Sequence, residues 1–303
     1  MAKIRRSDMP QPAAAGLTER GQQTPAPTQP GHEAPSAPAP KAKRRRSSIG
    51  YTVAMIFFGA VFLVSAGLLV KRFLDDRKTE NEFASLQAMI DTTATTDTPD
   101  PTGESVNPNG AKFAALRDKN SDFIGWISID GTNLDFPVMY APTNKDFYLR
   151  HDFNKEYSIY GVPYLDEKTT LGANAESDNL IIYGHNMKSG AMFGTLKKYL
   201  DKGYLEKHKQ IRFDTIYERG TYEVIGAFLS EVSYQDEYTF RYYNFLNANN
   251  ESEFEAFCVN VMQLDALKKG TLDAKYGDQL LTLSTCSSYT EEGRMFVIAK
   301  RIK

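Results

Sequence analysis

Cysteine is almost missing: two residues, Cys258 and Cys286, in a chain of 303. That excludes a disulfide-rich scaffold and any zinc or iron–sulfur centre built from several thiolates. Histidine is nearly as scarce. Four scattered residues argue against a histidine-rich metal site, and no calcium loop stands out among the acidic residues. Neither a metal nor a cofactor is therefore expected. An internal repeat is also missing. So is a strong charge of either sign, since the formal net charge is -2. That average hides a split. Residues 1–48 hold nine Lys/Arg and three Asp/Glu, and the remaining 27 Lys/Arg and 35 Asp/Glu leave residues 49–303 at -8. No long basic face runs through the bulk of the chain, so nucleic acid is not an expected partner. What is present is 41% hydrophobic and 12% aromatic content. That is enough for one sizeable core, and it rules out a wholly disordered chain.

The first 48 residues predict a tail. Residues 8–40 are rich in Pro, Ala, Gln, Thr and Gly, carry no apolar period, and are expected to be disordered. A basic cluster follows at Lys41, Lys43, Arg44, Arg45 and Arg46. Then come 22 residues without a charge, Ile49 to Val70. As a helix they reach about 33 Å, the thickness of a bilayer core. A cleaved signal peptide, with Ser65-Ala66-Gly67 as its site, fits less well, because the run is too long and its leader too extended. The five charges before the span outweigh Lys71, Arg72 and Arg77 after it. The positive-inside rule then puts the N-terminus in the cytoplasm and the bulk of the protein outside, on a single-pass anchor in the cell membrane. Glu82–Ile90 predicts a short helix with Phe83, Leu86 and Ile90 on one face. Asp91–Gly110 has the composition of a linker. The expected divisions are thus a tail at 1–48, an anchor at 49–70, a helix and linker at 71–110, and one folded domain at 111–303.

Strand signals dominate that domain. Eight short β-branched or aromatic segments are bounded by Gly, Asp and Asn: Phe123–Ile129, Phe136–Tyr140, Gly161–Leu165, Asn179–Tyr183, Gln210–Tyr217, Thr221–Leu229, Gln279–Thr285 and Met295–Ile302. One strong helix is expected over Asn244–Leu267, with Phe254, Phe257, Cys258 and Val261 as its buried stripe. A weaker helix is expected over Met192–Tyr199. The expected fold is mainly β, a barrel carrying peripheral helices and preceded by one transmembrane helix.

Chemistry concentrates at three places. Cys258, on the helix stripe, predicts a small core residue. Cys286 ends the segment Leu281-Thr282-Leu283-Ser284-Thr285-Cys286, where alternation puts Thr282, Ser284 and Cys286 on one face. A thiol at a strand end can meet a substrate; a disulfide to Cys258 is the structural alternative. His185 follows a strand, in Tyr183-Gly184-His185-Asn186-Met187, and Gly184 suggests a close backbone approach. A strand-end Cys and a His elsewhere in the chain form a nucleophile and base when the fold joins them. Arg294 opens the last strand. If Ser287–Gly293 is a hairpin-like loop, Arg294 returns beside Cys286 as a fixed donor for an acyl oxyanion; otherwise it is a solvated surface residue.

Taken together, Thr282-Leu283-Ser284-Thr285-Cys286 with Arg294, and the segment Tyr183-Gly184-His185-Asn186-Met187, resemble the signatures of the sortase family. Tyr148-Leu149-Arg150-His151-Asp152-Phe153, Tyr160-Gly161 and Asp166, with the long helix before the cysteine strand, resemble its class B members. The resemblance covers roughly Phe113 to Ile302 and the N-terminal anchor. It implies an eight-stranded barrel and an extracytoplasmic cysteine transpeptidase of Gram-positive type. Cys286 would be the nucleophile, His185 the proton donor and acceptor, and Arg294 the oxyanion stabiliser. Ser284 would line the substrate groove. The implied partners are secreted proteins with a C-terminal sorting signal and an amine acceptor, either a lipid-linked peptidoglycan precursor or a pilin lysine. Water as acceptor would make the enzyme a thiol protease. Two alternatives stand beside wall anchoring: a class B pilus-assembly enzyme, and a non-catalytic anchored surface binding protein. Specificity is expected to depend on Ser230–Tyr243, which carries Tyr234, Tyr238, Phe240, Tyr242 and Tyr243.

Overall fold

The computed structural model describes residues 49–93, 109–172, 175–231, 240–264, 272–286 and 293–303. The chain divides into two units, Met1–Val61 and Phe62–Lys303. The first helix, α1, is unbroken from Ile49 to Thr93. None of its apolar stretch is buried, and it is long and apolar enough to cross a membrane. The short helix expected over Glu82–Ile90 is the distal part of α1. No Gly or Pro interrupts Lys71–Thr93, so nothing in that stretch ends the helix. Phe83, Leu86 and Ile90 are buried as their spacing predicts, and Phe83 packs edge-on against Phe136 at 5.1 Å. Polar contacts flank this seam: Lys78 pairs with Glu156, the Asn154 amide donates to Glu82, and Tyr160 donates to Asp76.

All eight expected barrel strands form. They are β1 (Phe123–Ser128), β2 (Asp135–Met139), β3 (Tyr164–Leu165), β6 (Asn179–Tyr183), β7 (Gln210–Thr215), β8 (Thr221–Glu231), β9 (Leu280–Cys286) and β10 (Gly293–Arg301). They close in the order β1-β2-β3-β6-β9-β10-β8-β7. Closure removes the exposed edges that an open sheet would carry. Two pairings are parallel, β2 with β3 and β6 with β9. A separate hairpin of β4 (Leu171–Gly172) and β5 (Ala175–Glu176) lies outside the barrel.

Alternation along the central strands fills two cores. Leu180, Ile182, Leu281, Leu283, Met295 and Val297 belong to the larger cluster inside the barrel. Leu280, Phe296, Ile298 and Phe228 point the other way, into a second cluster with Tyr242, Phe254, Phe257 and Val261. This second cluster covers the outer face of β8, β9 and β10. Its cover is α4 (Glu251–Met262) together with a 3-10 turn at Tyr242–Asn244. The helix expected from Asn244 therefore starts seven residues later within the described residues. Asn250 ends its approach: the Asn250 side chain accepts the Glu253 N–H, and Glu253 accepts the Asn249 N–H in return. That reciprocal capping fixes the first turn. The weaker helix expected over Met192–Tyr199 is a 3-10 segment, Phe193–Leu200. Two short helices were not expected, α2 (Gly110–Lys119) and α3 (Lys202–Lys207).

The outer cluster gives a direct test. Phe257 is 3% exposed and stacks on Phe245 at 3.9 Å. Phe257→Ala is expected to cost about 3–5 kcal/mol in denaturant unfolding. Val259, exposed on the same helix, should cost less than about 0.5 kcal/mol when changed to Ala.

Candidate functional site

The site is set by where three neighbouring strands end. Tyr183, the last residue of β6, is the parallel partner of Ser284 in β9. Beyond that rung the two chains stay joined. The Gly184 N–H donates to the Ser284 carbonyl at 3.1 Å, and the Thr285 hydroxyl donates to the Gly184 carbonyl at 2.7 Å. His185 lies two residues past Tyr183, and Cys286 two residues past Ser284. On the other side of β9, Cys286 is the register partner of Arg294. The fold therefore brings His185, Cys286 and Arg294 to one end of β6, β9 and β10, at positions of the same strand parity.

Gly184 permits the approach. A Cβ there would lie 2.7 Å from the Phe193 ring, which packs beneath it. The His185 carbonyl then accepts the Phe193 N–H at 2.9 Å, so the loop returns directly to the 3-10 segment. The His185 ring is fixed from the far side. Its Nε2 lies 2.7 Å from the Leu149 carbonyl, which can only accept, so Nε2 carries a proton and donates. Nδ1 is left as the nitrogen able to exchange a proton. Burial pushes the His185 pKa below its ordinary value; the Leu149 carbonyl opposes this, and the nearby Arg150 charge adds to it. The resting imidazole is thus neutral near pH 7.

The segment around Leu149 has its own geometric requirement. Gly161 has φ +58, and a Cβ there would sit 2.4 Å from the Tyr148 carbonyl and 2.7 Å from that of Leu149. Only glycine lets the two stretches close on each other. Asp152 accepts the N–H groups of Asn154 and Glu156, each at 2.9 Å, and shapes the same loop. Asp166 accepts the Tyr183 hydroxyl at 2.9 Å and so steadies the strand end before His185. Burial and Asp166 together raise the Tyr183 pKa, so its hydroxyl stays protonated as the donor.

Ser284 is 1% exposed. Its hydroxyl shares a 2.6 Å hydrogen bond with Tyr242, whose ring stacks on Phe296 at 3.8 Å. Phe240, Tyr242 and Tyr243 all pack on the outer cluster. Tyr234, Tyr238 and the loop 287–292 lie outside the described residues. Arg294 is partly buried, and its Nη1 donates to the Gly293 carbonyl at 3.3 Å. Cys258 is a free thiol, packed on the outer cluster, and burial pushes its pKa to about 11. Its thiol is therefore held in the protonated form at neutral pH. Among the described residues no group of three or more His, Cys, Asp or Glu side chains converges as a metal site.

Sequence reasoning did not find the Leu149 carbonyl, and it named Tyr242 only within the stretch expected to set specificity. A backbone carbonyl carries no residue signature. Tyr242 was one of several aromatics in its stretch, and only the stacked geometry singles it out.

A sortase domain model matches residues 127–302. Sortase B of Staphylococcus aureus (strain NCTC 8325 / PS 47) is 28% identical over 254 residues, covering 83% of this chain and 96% of that protein. Sortase B of Listeria monocytogenes serovar 1/2a is 28% identical over 263 residues, covering 85% and 98%. Among solved structures, a Staphylococcus aureus sortase B–substrate complex superposes with a TM-score of 0.62 at 28% identity, covering 76% of this chain and 99% of that one.

The depressed His185 pKa fixes a pH dependence. Between the ordinary value of 6.5 and the lower folded value, the unfolded chain binds a proton that the folded chain does not. This contribution to stability is fully present above 6.5 and is lost as the pH falls through the folded value. A histidine-resolved NMR titration should place the His185 midpoint below 6.5. In His185→Gln, this part of the pH dependence of unfolding should disappear.

Proposed function

Since this chain belongs to the sortase family, as a class B cysteine transpeptidase, we propose that Cys286, His185 and Arg294 are its catalytic groups. One observation carries this reading. The parallel β6–β9 register and the pairing of Arg294 with Cys286 put positions 185, 286 and 294 at the same end of three hydrogen-bonded strands, which supports the reading.

The reaction has two halves. The Cys286 thiolate attacks the carbonyl of a Thr in the C-terminal sorting signal of a secreted protein. Arg294 and nearby backbone N–H groups stabilise the tetrahedral oxyanion. His185 gives a proton to the leaving amine, and a thioester remains on Cys286. An amine of a lipid-linked cell-wall precursor then attacks the thioester. His185 takes the proton of that amine, the thiolate leaves, and a new amide forms. Water in place of the amine gives hydrolysis. A thioester suits this exchange because it is reactive enough to acylate an amine.

Each neighbouring group has a part. The Leu149 carbonyl holds the imidazole by Nε2 and leaves Nδ1 for proton transfer. Ser284 and Tyr242 form one side of the substrate groove, with Tyr242 fixed by Phe296. Burial around His185 strengthens the electrostatic interactions it makes.

The same reading assigns topology. Residues 1–48 form a cytoplasmic tail, 49–70 the membrane anchor, 71–110 a connector, and 111–303 the extracellular catalytic domain. The charge asymmetry about Ile49–Val70 supports this orientation. Anchoring holds the enzyme on the surface where secreted substrates emerge, and so raises their effective concentration.

The test uses the full chain in detergent micelles with a panel of sorting peptides, with and without an amine acceptor, read by mass spectrometry. One peptide should be cleaved on the carbonyl side of Thr and diverted to an amide by the acceptor. Cys286→Ala should abolish both products. His185→Ala should slow them by about 10²–10⁴-fold, and Arg294→Ala by about 10²–10³-fold. Peptide cleavage that survives Cys286→Ala would overturn the assignment.

A further inference from the structure

Two large apolar side chains exposed outside α1, Tyr157 at 72% and Ile159 at 39%, fall in one short loop. The others among the described residues, Val259, Tyr276 and Ile302, lie in three separate segments. The loop's main chain is well tied. The Asp152 N–H donates to the Glu156 carbonyl at 2.8 Å, and the Ser158 N–H to the Arg150 carbonyl at 2.9 Å. Tyr157 itself pairs with His151 as an isolated bridge. An ordered backbone, not a loose end, therefore presents the two side chains to solvent.

The neighbour of this loop is α1. A hollow of about 220 Å³ lies between them, with Lys71, Asp75 and Lys78 on the helix side and Tyr157–Tyr160 on the other. The contacts descend the helix as the loop advances: Asn154 meets Glu82, Glu156 meets Lys78, and Tyr160 meets Asp76. Phe83, Leu86 and Ile90 fix this part of α1 to the barrel, so a height on the helix is also a height on the loop. The apolar run ends at Val70. At 1.5 Å per residue, Glu82 stands about 18 Å beyond that end, Lys78 about 12 Å, Asp76 about 9 Å and Lys71 under about 2 Å. The polar layer on each side of a bilayer is about 5–8 Å deep. Tyr157 and Ile159 share the hollow that reaches down to Lys71, which brings them to the depth of the headgroups.

Charge does not oppose this placement. Lys78 pairs with Glu156 at 3.2 Å, and Lys155 with Asp122 at 2.8 Å. Lys71 and Lys78 offset the carboxylates of the hollow, where burial and the Asp152 charge push the Glu82 pKa up to about 7. Tyrosine is also a residue type that favours the headgroup level, with its ring in the apolar edge and its hydroxyl in water. We propose that the loop Asn154–Tyr160 rests on the outer leaflet of the membrane, with Tyr157 and Ile159 seated among the lipid headgroups, as a second membrane contact beside the anchor. The inference rests on the anchor reading above. A helix alone sets the distance of the barrel from the lipid; helix and loop together also set its tilt. The consequence reaches the site, because Leu149 and Arg150 lead into this loop and the Leu149 carbonyl holds His185. Docking thereby fixes the height of the proposed acid–base group above the lipid.

The test uses the full chain in vesicles of phosphatidylcholine and phosphatidylglycerol. Cys258→Ala and Cys286→Ala leave one new cysteine at a time to carry a nitroxide: Tyr157→Cys, Ile159→Cys, Leu63→Cys in α1 or Val259→Cys on α4. Collisions with oxygen, which concentrates in lipid, are compared with collisions with a water-soluble nickel chelate. Leu63→Cys should give the ratio of hydrocarbon and Val259→Cys that of water. Tyr157→Cys and Ile159→Cys are expected to lie between them. Adding Ile159→Glu to Tyr157→Cys should shift its ratio to that of Val259→Cys. Water-like ratios at 157 and 159, with Leu63→Cys in hydrocarbon, overturn the docking proposal and leave the anchor standing. A ratio at 157 that Ile159→Glu does not move also overturns it, because the label alone would then be entering the lipid. Loss of both kinds of collision overturns it in favour of a protein cover, such as a second copy of this chain. If Leu63→Cys reports water, the anchor reading itself fails, and the proposal falls with it.

Discussion

The parallel pairing of β6 with β9 is the constraint on which the rest depends. Parallel strands run the same way, so the residues that follow them emerge at the same end of the sheet. Gly184 and Thr285 are 101 positions apart in sequence, yet a 2.7 Å hydrogen bond joins them. An antiparallel pairing of the same two segments would send His185 and Cys286 to opposite ends of the barrel. The pairing is held by more than its backbone ladder. Thr282 donates to Asn179 at 2.8 Å across the two strands, buried from water, and Asn179 in turn donates to the Phe245 carbonyl at 2.9 Å. A slip of one residue would turn Leu281 and Leu283 out of the barrel core, so the register is strongly determined.

The second constraint is cover. A barrel strand normally shows one face to water, but β9 and β10 are buried on both faces along much of their length. The chain between β8 and β9 supplies the outer cover through Tyr242, Phe245 and α4. The site at the end of these strands is also partly withdrawn from water. His185 is half-buried and shifted toward neutrality, and Tyr183 is held as a donor. Tyr242 links the two roles, because it belongs to the cover by stacking and to the groove by its bond to Ser284. A substrate that uses the Ser284 hydroxyl must therefore reach it alongside Tyr242.

Much of the barrel was legible in the residues. The eight strands show period-two alternation or short β-branched runs, and those patterns survive because each strand has one face in the core. The helix stripe of Phe254, Phe257 and Val261 was legible for the same reason. Its start was not, although Asn250 and Glu253 carry a capping pattern, because the apolar Phe245 and Leu246 upstream mimic another helical turn. In the structure those residues pack as irregular chain against the outer cluster and the barrel. The hairpin β4–β5 was invisible, since two residues per strand cannot establish a period. Cys286, His185 and Arg294 stood out as residue types at strand ends. What sets their positions, the β6–β9 and β9–β10 registers, is backbone geometry that no residue type announces.

The proton arithmetic of the site then follows from its hydrogen bonds. Nε2 of His185 is committed to Leu149, so the proposed reaction must pass its protons through Nδ1 alone. A neutral imidazole cannot donate from Nδ1; it first has to gain a proton. Burial makes an isolated imidazolium costly, and the Arg150 charge raises that cost. An imidazolium is therefore stabilised when a compensating anion stands beside it, and on the proposed reading that anion is the thiolate of Cys286. Proton transfer from thiol to imidazole creates the nucleophile and the acid in one step. When the thiolate becomes a thioester and the leaving amine takes the proton, both charges vanish together, and the half-buried site returns to the neutral state that its surroundings favour. On that reading, the burial that disfavours a lone imidazolium also favours the two charges appearing and vanishing together.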